Sequence, residues 1–202
     1  GEPLDAHLDA LVDAVADDGR DDDGVEAGPP AAPDVGHHPI SHQGGVRRGE
    51  REVAGIGPVG VPEYQNRPQI VTRDKDGLLN FAQFERWGEA LDSSLARLIL
   101  ENLTVMIPQA EFQMFPCDFS IPLDYQVIVS LVQLESQLDK EIFFAAQWTI
   151  IDSRAKKMLS TKRFQIRQEI DPHTYVGLAQ ALSQAVISLS AEIGENLEKF
   201  SK

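Results

Sequence analysis

One cysteine, Cys117, stands alone in 202 residues. A single thiol forms no internal disulfide, and without a Cys-x-x-Cys pair there is no redox or zinc framework. Long apolar runs are missing as well: no stretch approaches the roughly 18 consecutive apolar residues expected of a membrane span. Basic residues are scarce, 18 Lys and Arg against 32 Asp and Glu, for a formal net charge of −14. Nucleic acid is therefore excluded as a partner, because phosphate binding draws on clustered Lys and Arg. The same balance speaks against simple adhesion to an anionic lipid surface. No basic-then-apolar leader opens the sequence at Gly1, so no signal peptide is expected within it.

The scarcities are unevenly spread. Residues 1–53 contain no Phe, Tyr, Trp, Lys, Asn, Thr, Met or Cys, and all nine Phe lie beyond them. A segment poor in large apolar groups and rich in one charge cannot offset its ordering entropy by burial. The sequence thus predicts a disordered acidic tail over 1–53 and one folded domain over 54–202. Within the tail, Leu4, Leu8, Leu11, Val12 and Val15 have helical spacing, enough for a short, marginal amphipathic helix.

From Ala54 onward the patterns are regular. Gly55–Val61 reads as a strand and Gln69–Thr72 as a second extended piece. Asn80 and Gln83 have the spacing of a capping box. With Phe84, Leu91, Leu95, Leu98 and Met106 on one stripe, they predict a long helix from Asn80 to Pro108, with Trp87 beside the stripe. Glu111–Phe115 is a short strand. Tyr125–Glu135, Glu141–Asp152 and Lys156–Ile170 form an antiparallel meander, the middle strand apolar enough for burial on both faces. Asp171-Pro172 then opens a last helix with Leu178, Leu182, Val186, Leu189, Ile193 and Phe200 on one face. The expected order is ββαββββα. The fold class is α+β: an antiparallel-rich mixed sheet with two long helices packed on it.

Chemistry-bearing clusters are few. His37, His38 and His42 sit near Asp34, but a Pro/Gly-rich tail offers no scaffold for metal geometry. The acidic run 17–23 has no register that satisfies a calcium loop. Gly55-Ile56-Gly57 is followed at once by Pro58 and lacks the Gly-Lys-Ser/Thr of a phosphate loop. His173 is the only histidine after residue 53, with no nucleophile motif beside it. No enzyme signature, cofactor site or metal site is expected. The stretch 57–73, GPVGVPEYQNRPQIVTR, is different. Its prolines, Tyr64, Arg67, Gln69 and Arg73 suggest an exposed connection that serves either as a structural crossover or as a docking surface, where Tyr and Arg are favoured anchors.

The same stretch, from Ile56, resembles the signature of the auxiliary lipoproteins of paraquat-inducible (Pqi) membrane-integrity transporters, also described as ABC-transport auxiliary lipoproteins. FAQFERWGEALDSSLARLILENL, DYQVIVSLVQLES and TYVGLAQALSQAVISLSAEIGENL are similar to further segments of that family, so the resemblance covers about 55–197. It implies a non-catalytic periplasmic subunit, associated with the outer membrane, beside a lipid-carrying MCE-type protein and an inner-membrane transporter component. Assembly into a homo-oligomer is compatible with it. The family's membrane tether would be an N-terminal lipidated Cys. No Cys precedes Cys117, so membrane attachment is not carried over to this chain. The Ala/Asp/Gly/Pro/Arg bias of 1–53 also suits translation of GC-rich DNA from another start or frame, and the tail is not expected to be native to the family. A rival expectation is a small lipid-binding protein with an apolar groove between sheet and helices.

Overall fold

A computed structural model describes residues 51–116 and 122–200. The Leu4–Val15 helix, the histidine cluster, the acidic run and Cys117 lie outside the described residues. Chain order is β1 (Val53–Gly60), a 3-10 turn (Glu63–Gln65), β2 (Gln69–Arg73), β3 (Leu79–Arg86), α1 (Leu91–Met106), β4 (Glu111–Met114), β5 (Tyr125–Gln137), β6 (Glu141–Asp152), β7 (Lys157–Glu169) and α2 (Tyr175–Leu197). Five strands make one mixed sheet in the order β4-β1-β5-β6-β7, and β2 and β3 make a separate two-stranded sheet. The fold is α+β, as the patterning predicts.

Alternation sets the main sheet. In β5, Val127, Val129, Leu131 and Leu134 point to the core. In β6, Ile142, Phe144, Ala146, Trp148 and Ile150 do the same, each opposite a core-facing neighbour on β5. The residues between them are only half-buried, so β6 is covered on one face, not on both. Its open face pairs Gln147 with Ser130 and Arg163, and Thr149 with Thr161. Two helices suffice to cover one side of a five-stranded sheet, and antiparallel sheets tolerate a solvated second face.

The edges are blunt. β4 is four residues long, and β7 carries Lys157, Lys162, Arg163 and Arg167 along its length. Short strands and cationic side chains discourage edge-to-edge association. β1 lies inside the sheet, parallel to β4 on one side and to β5 on the other. Gly55-Ile56-Gly57 is therefore strand, with Ile56 fully buried. Gly57 has φ +122°, and a Cβ there would come within 2.9 Å of the Phe115 carbonyl oxygen, so only glycine fits.

The predicted helix start at Asn80 is corrected. Residues 79–86 are β3, and helix begins only at Leu91. The tight turn Asp74–Gly77 decides this. The Asp74 side chain accepts from the amides of Asp76 and Leu78, and Gly77 has φ +83°. That turn folds 79–86 back onto Gln69–Arg73. Phe84, assigned from sequence to the buried stripe, is 71% exposed.

α2 has the length and hydropathy of a membrane span. Here its apolar residues cover the sheet: Leu178, Leu182, Val186, Leu189 and Ile193 are buried. Trp148 Nε1–H donates to Glu192 Oε1 at 3.1 Å, and Lys162 Nζ to Asn196 Oδ1 at 2.8 Å, tying the last turns of α2 to β6 and β7. Thr174 caps the start of the helix by accepting from Gly177 N–H at 3.1 Å. A Cβ on Gly177 would overlap the Pro172 carbonyl oxygen, a backbone atom that cannot swing away. Alanine is the better helix former by about 1 kcal/mol, but the clash opposes it. Gly177→Ala is expected to lower stability by about 2 kcal/mol net, within the usual range for overpacking. A thermal melt at or above the parent's midpoint would show that the 172–177 turn relaxes freely.

Candidate docking site

The β2–β3 hairpin stands off the main sheet and is held to it from one side. Ile70, Val71, Thr72 and Ala82 are buried, and Ile70 and Ala82 join the core cluster together with Trp87. Tyr64 and Gln65, in the 3-10 turn before β2, reach to β5. The Tyr64 hydroxyl donates to the Leu134 carbonyl at 3.2 Å and accepts from the Leu134 amide at 3.3 Å. Gln65 Nε2 donates to the same carbonyl at 2.9 Å. These bonds meet β5 just past the register shift between Leu131 and Gln133, where its pairing with β6 is irregular.

Arg73 supplies the second clamp. Its Nη2 lies 3.3 Å from Glu135 Oε1, and its Nη1 donates to the Gly77 carbonyl at 2.5 Å, bridging β5 and the hairpin turn. A half-exposed ion pair contributes under about 1 kcal/mol, so the clamp orients the hairpin more than it stabilises it. Gln69 is half-buried within β2, opposite Arg86. Arg67 differs from the other three. It is exposed, and its guanidinium stacks over the Phe81 ring at 4.5 Å.

Of the four residues singled out from sequence, Tyr64 and Arg73 thus contact β5, Gln69 is half-buried within β2, and Arg67 is exposed. Sequence reasoning missed what stands beside Arg67. Leu78 is 65% exposed and Phe81 50%, and Leu79 and Phe84 are exposed as well. Four large apolar residues within seven positions are exposed on β3 and the turn before it. Clustered exposed apolar residues mark an interaction site more often than singly scattered ones do. The Asp-Lys-Asp-Gly turn after a strand-like QIVTR was the available signal.

Two recesses flank the fold. An apolar pit between Ile107, Ala110, Phe112, Tyr125 and Leu197 has a volume of about 20 Å³, room for a single water. At its rim the Tyr125 hydroxyl donates to the Phe200 carbonyl at 2.7 Å. Its pKa is raised, by burial first and then by the nearby carboxylates of Glu52, Asp124 and Asp152. The second recess is an open cleft of about 320 Å³ at the base of the hairpin, between residues 66–68 and 87–90. Among the described residues no group of three or more His, Cys, Asp or Glu gathers as a metal site.

Residues 39–194 match the family described as ABC-type transport auxiliary lipoprotein component. The chain belongs to that family. Its solved relatives share the fold at low identity. One, a crystal structure of an uncharacterized protein, superposes with a TM-score of 0.62 at 17% identity, over 73% of this chain and 92% of that one. A crystal structure from Xanthomonas campestris, assigned to DUF330, gives 0.59 at 13% identity, over 72% of this chain and 81% of that one. No curated protein matches the sequence. Membership in an ABC-transport auxiliary lipoprotein family makes this chain an accessory transport component of the cell envelope, with a transporter as its partner.

Proposed function

We propose that this chain is a non-catalytic docking subunit of a Pqi-type envelope lipid-transport system. In this reading it sits on the periplasmic side of the outer membrane and joins an MCE-type lipid carrier to the rest of the transporter. Family membership supports the transport role. The observation that carries the docking role is the run of exposed apolar residues on β3 and its turn, in a hairpin held to β5 by Tyr64, Gln65 and Arg73. A pre-oriented apolar surface loses little entropy on binding, which favours a stable contact. The rival lipid-binding reading needs a cavity between sheet and helices. That space is filled by Trp148, Phe144, Leu182 and Leu189, all essentially inaccessible to solvent.

The test is Phe81→Ser/Phe84→Ser in the full chain, assayed for binding to the MCE-type partner. Both rings are exposed, so the melting temperature should stay within a few degrees. Affinity should fall about tenfold or more, since aromatic anchors at interface centres are each worth upwards of ~1 kcal/mol. Full binding by the folded variant would remove the hairpin from the interface. Tyr64→Phe serves as the contrast: it loses both hydrogen bonds to Leu134, each worth about 1 kcal/mol, and should lower stability while leaving the exposed apolar residues of β3 intact. An oligomer that dissociates in the double serine variant would instead make a second copy of this chain the hairpin's partner.

A further inference from the structure

β7 is the outermost strand of the main sheet, bonded to β6 on one side, and among the described residues no strand pairs with its other edge. The opposite edge strand, β4, has four residues, whereas β7 has 13, enough to hold a full partner strand. Main-chain donors and acceptors left unpaired along such an edge form a template for an added strand. The core is incomplete there as well. Ala146 and Phe144 of β6 are buried, but their partners on β7, Phe164 and Ile166, are only half-buried. Apolar side chains on a further strand would pack beside these two, as same-face neighbours do across any pair of strands.

The charge on β7 selects what that strand is made of. Acidic residues outnumber basic ones in the chain, 32 against 18, yet β7 carries Lys157, Lys162, Arg163 and Arg167 against the single Glu169. Lys162 is held by Asn196, and Arg167 by Glu141. Arg163, at the centre of the strand, is exposed, and no carboxylate contacts it among the described residues. Arg163 and Arg167 alternate with Phe164 and Ile166, so the cations lie on the open face of the sheet and the apolar pair on the helix side. A second copy of β7 does not suit this edge. Paired antiparallel about its centre, the strand would set Arg163 against Arg163, and like charges directly opposite each other are destabilising.

We propose that the outer edge of β7 binds an extended segment of a partner protein in which acidic and apolar residues alternate. The segment adds a sixth strand to the main sheet, with its carboxylates beside Arg163 and Arg167 and its apolar side chains beside Phe164 and Ile166. Main-chain hydrogen bonds supply the attachment, and the alternate side chains supply the selectivity. The β2–β3 hairpin is held to β5, and β6 separates β5 from β7, so the two surfaces are distinct. A subunit that joins two components needs two such surfaces. The inference rests on the docking reading only for the partner being a transport protein.

The experiment titrates the full chain with acetyl-Ser-Glu-Val-Glu-Val-Glu-Ser-amide and with its Gln and Lys counterparts. Hydrogen exchange of the backbone amides is read by nitrogen-15 NMR. The Glu peptide should protect alternate amides along β7 and leave those of β4 exchanging as before. It should bind about tenfold more tightly than the Gln peptide, the combined effect of several exposed charge pairs, and the Lys peptide should not bind. Methylating the backbone nitrogens of the Val residues, or instead those of the Glu residues, should abolish binding in one case and spare it in the other, because alternate amides point to opposite sides of a strand. Arg163→Glu should weaken the Glu peptide severalfold without changing the melting temperature. Unprotected β7 amides, equal affinity for the Glu and Gln peptides, or indifference to both methylation patterns would overturn the proposal. So would β7 amides that become protected without peptide as the chain is concentrated, which would make a second copy the occupant. Peptide binding by a chain that ignores the MCE-type protein would retain the β7 site and reject the docking role. Binding of that protein with no peptide response would do the reverse.

Discussion

Trp148→Ala is expected to lower stability by about 4 kcal/mol, within the range for emptying a large aromatic site in a core. Trp148 is fully buried in the middle of β6, which lies between β5 and β7, and its inner face meets α2. Three interactions are lost together: the packing, the hydrogen bond to Glu192 and the ring beneath Lys162, whose Nζ lies 5.8 Å from its centroid. Lys162 is exposed, opposite Trp148 on β7, and would then keep only its bond to Asn196. Urea denaturation followed by circular dichroism measures the loss. Trp148→Phe separates the contributions: it keeps most of the volume and should cost about 1 kcal/mol for the hydrogen bond. If Trp148→Ala costs under about 1 kcal/mol, the β6–α2 layer is not the main core.

Leu95→Ala is expected to cost about 3 kcal/mol, the centre of the range for buried leucines. Leu91, Leu95, Leu98, Ile99 and Leu103 form the buried face of α1, which packs against β1 and α2. The two helices touch through small and polar groups as well. Asn102 Nδ2 donates to Ser190 Oγ at 3.3 Å, and Gly194 lets Leu103 and Ile107 approach closely. With so little slack, the cavity left by Leu95 cannot collapse cheaply. An unchanged denaturation midpoint would mean that the α1 stripe does not face the sheet.

The same stripe shows why part of the fold was legible in sequence and part was not. From Leu91 onward the helical period is real, and so are the alternations of β5 and β7 and the last helix from Leu178 to Ile193. Each of these elements buries one face against the body of the protein, and burial writes the period. β3 buries little. Ala82 is its only fully buried residue, and its large apolar groups face out. Its sequence therefore carries no strand alternation, and Phe84 and Trp87 fall by chance on the helical spacing of Leu91. Leu79, Phe81 and Phe84 break the rule that apolar means inside, and those are the residues of the candidate interface. In the 57–73 stretch, residue types pointed to Arg67 as an anchor, but its Phe81 neighbour comes from a strand that local periodicity could not place.

β1 has a consequence for how the chain reaches this fold. It is the first described strand to leave the ribosome, yet both of its partners come much later, at Glu111–Met114 and Tyr125–Ser130. Closing loops of that length carries an entropy penalty before any contact repays it, which slows folding. By contrast, the pairings within β2–β3 and within β5–β6–β7 join strands adjacent in sequence. The meander can therefore form early as a template, with a gap in the sheet where β1 belongs. Until β1 inserts, one edge of β5 stays bare, and that interval is when the chain is most open to aggregation or to a chaperone.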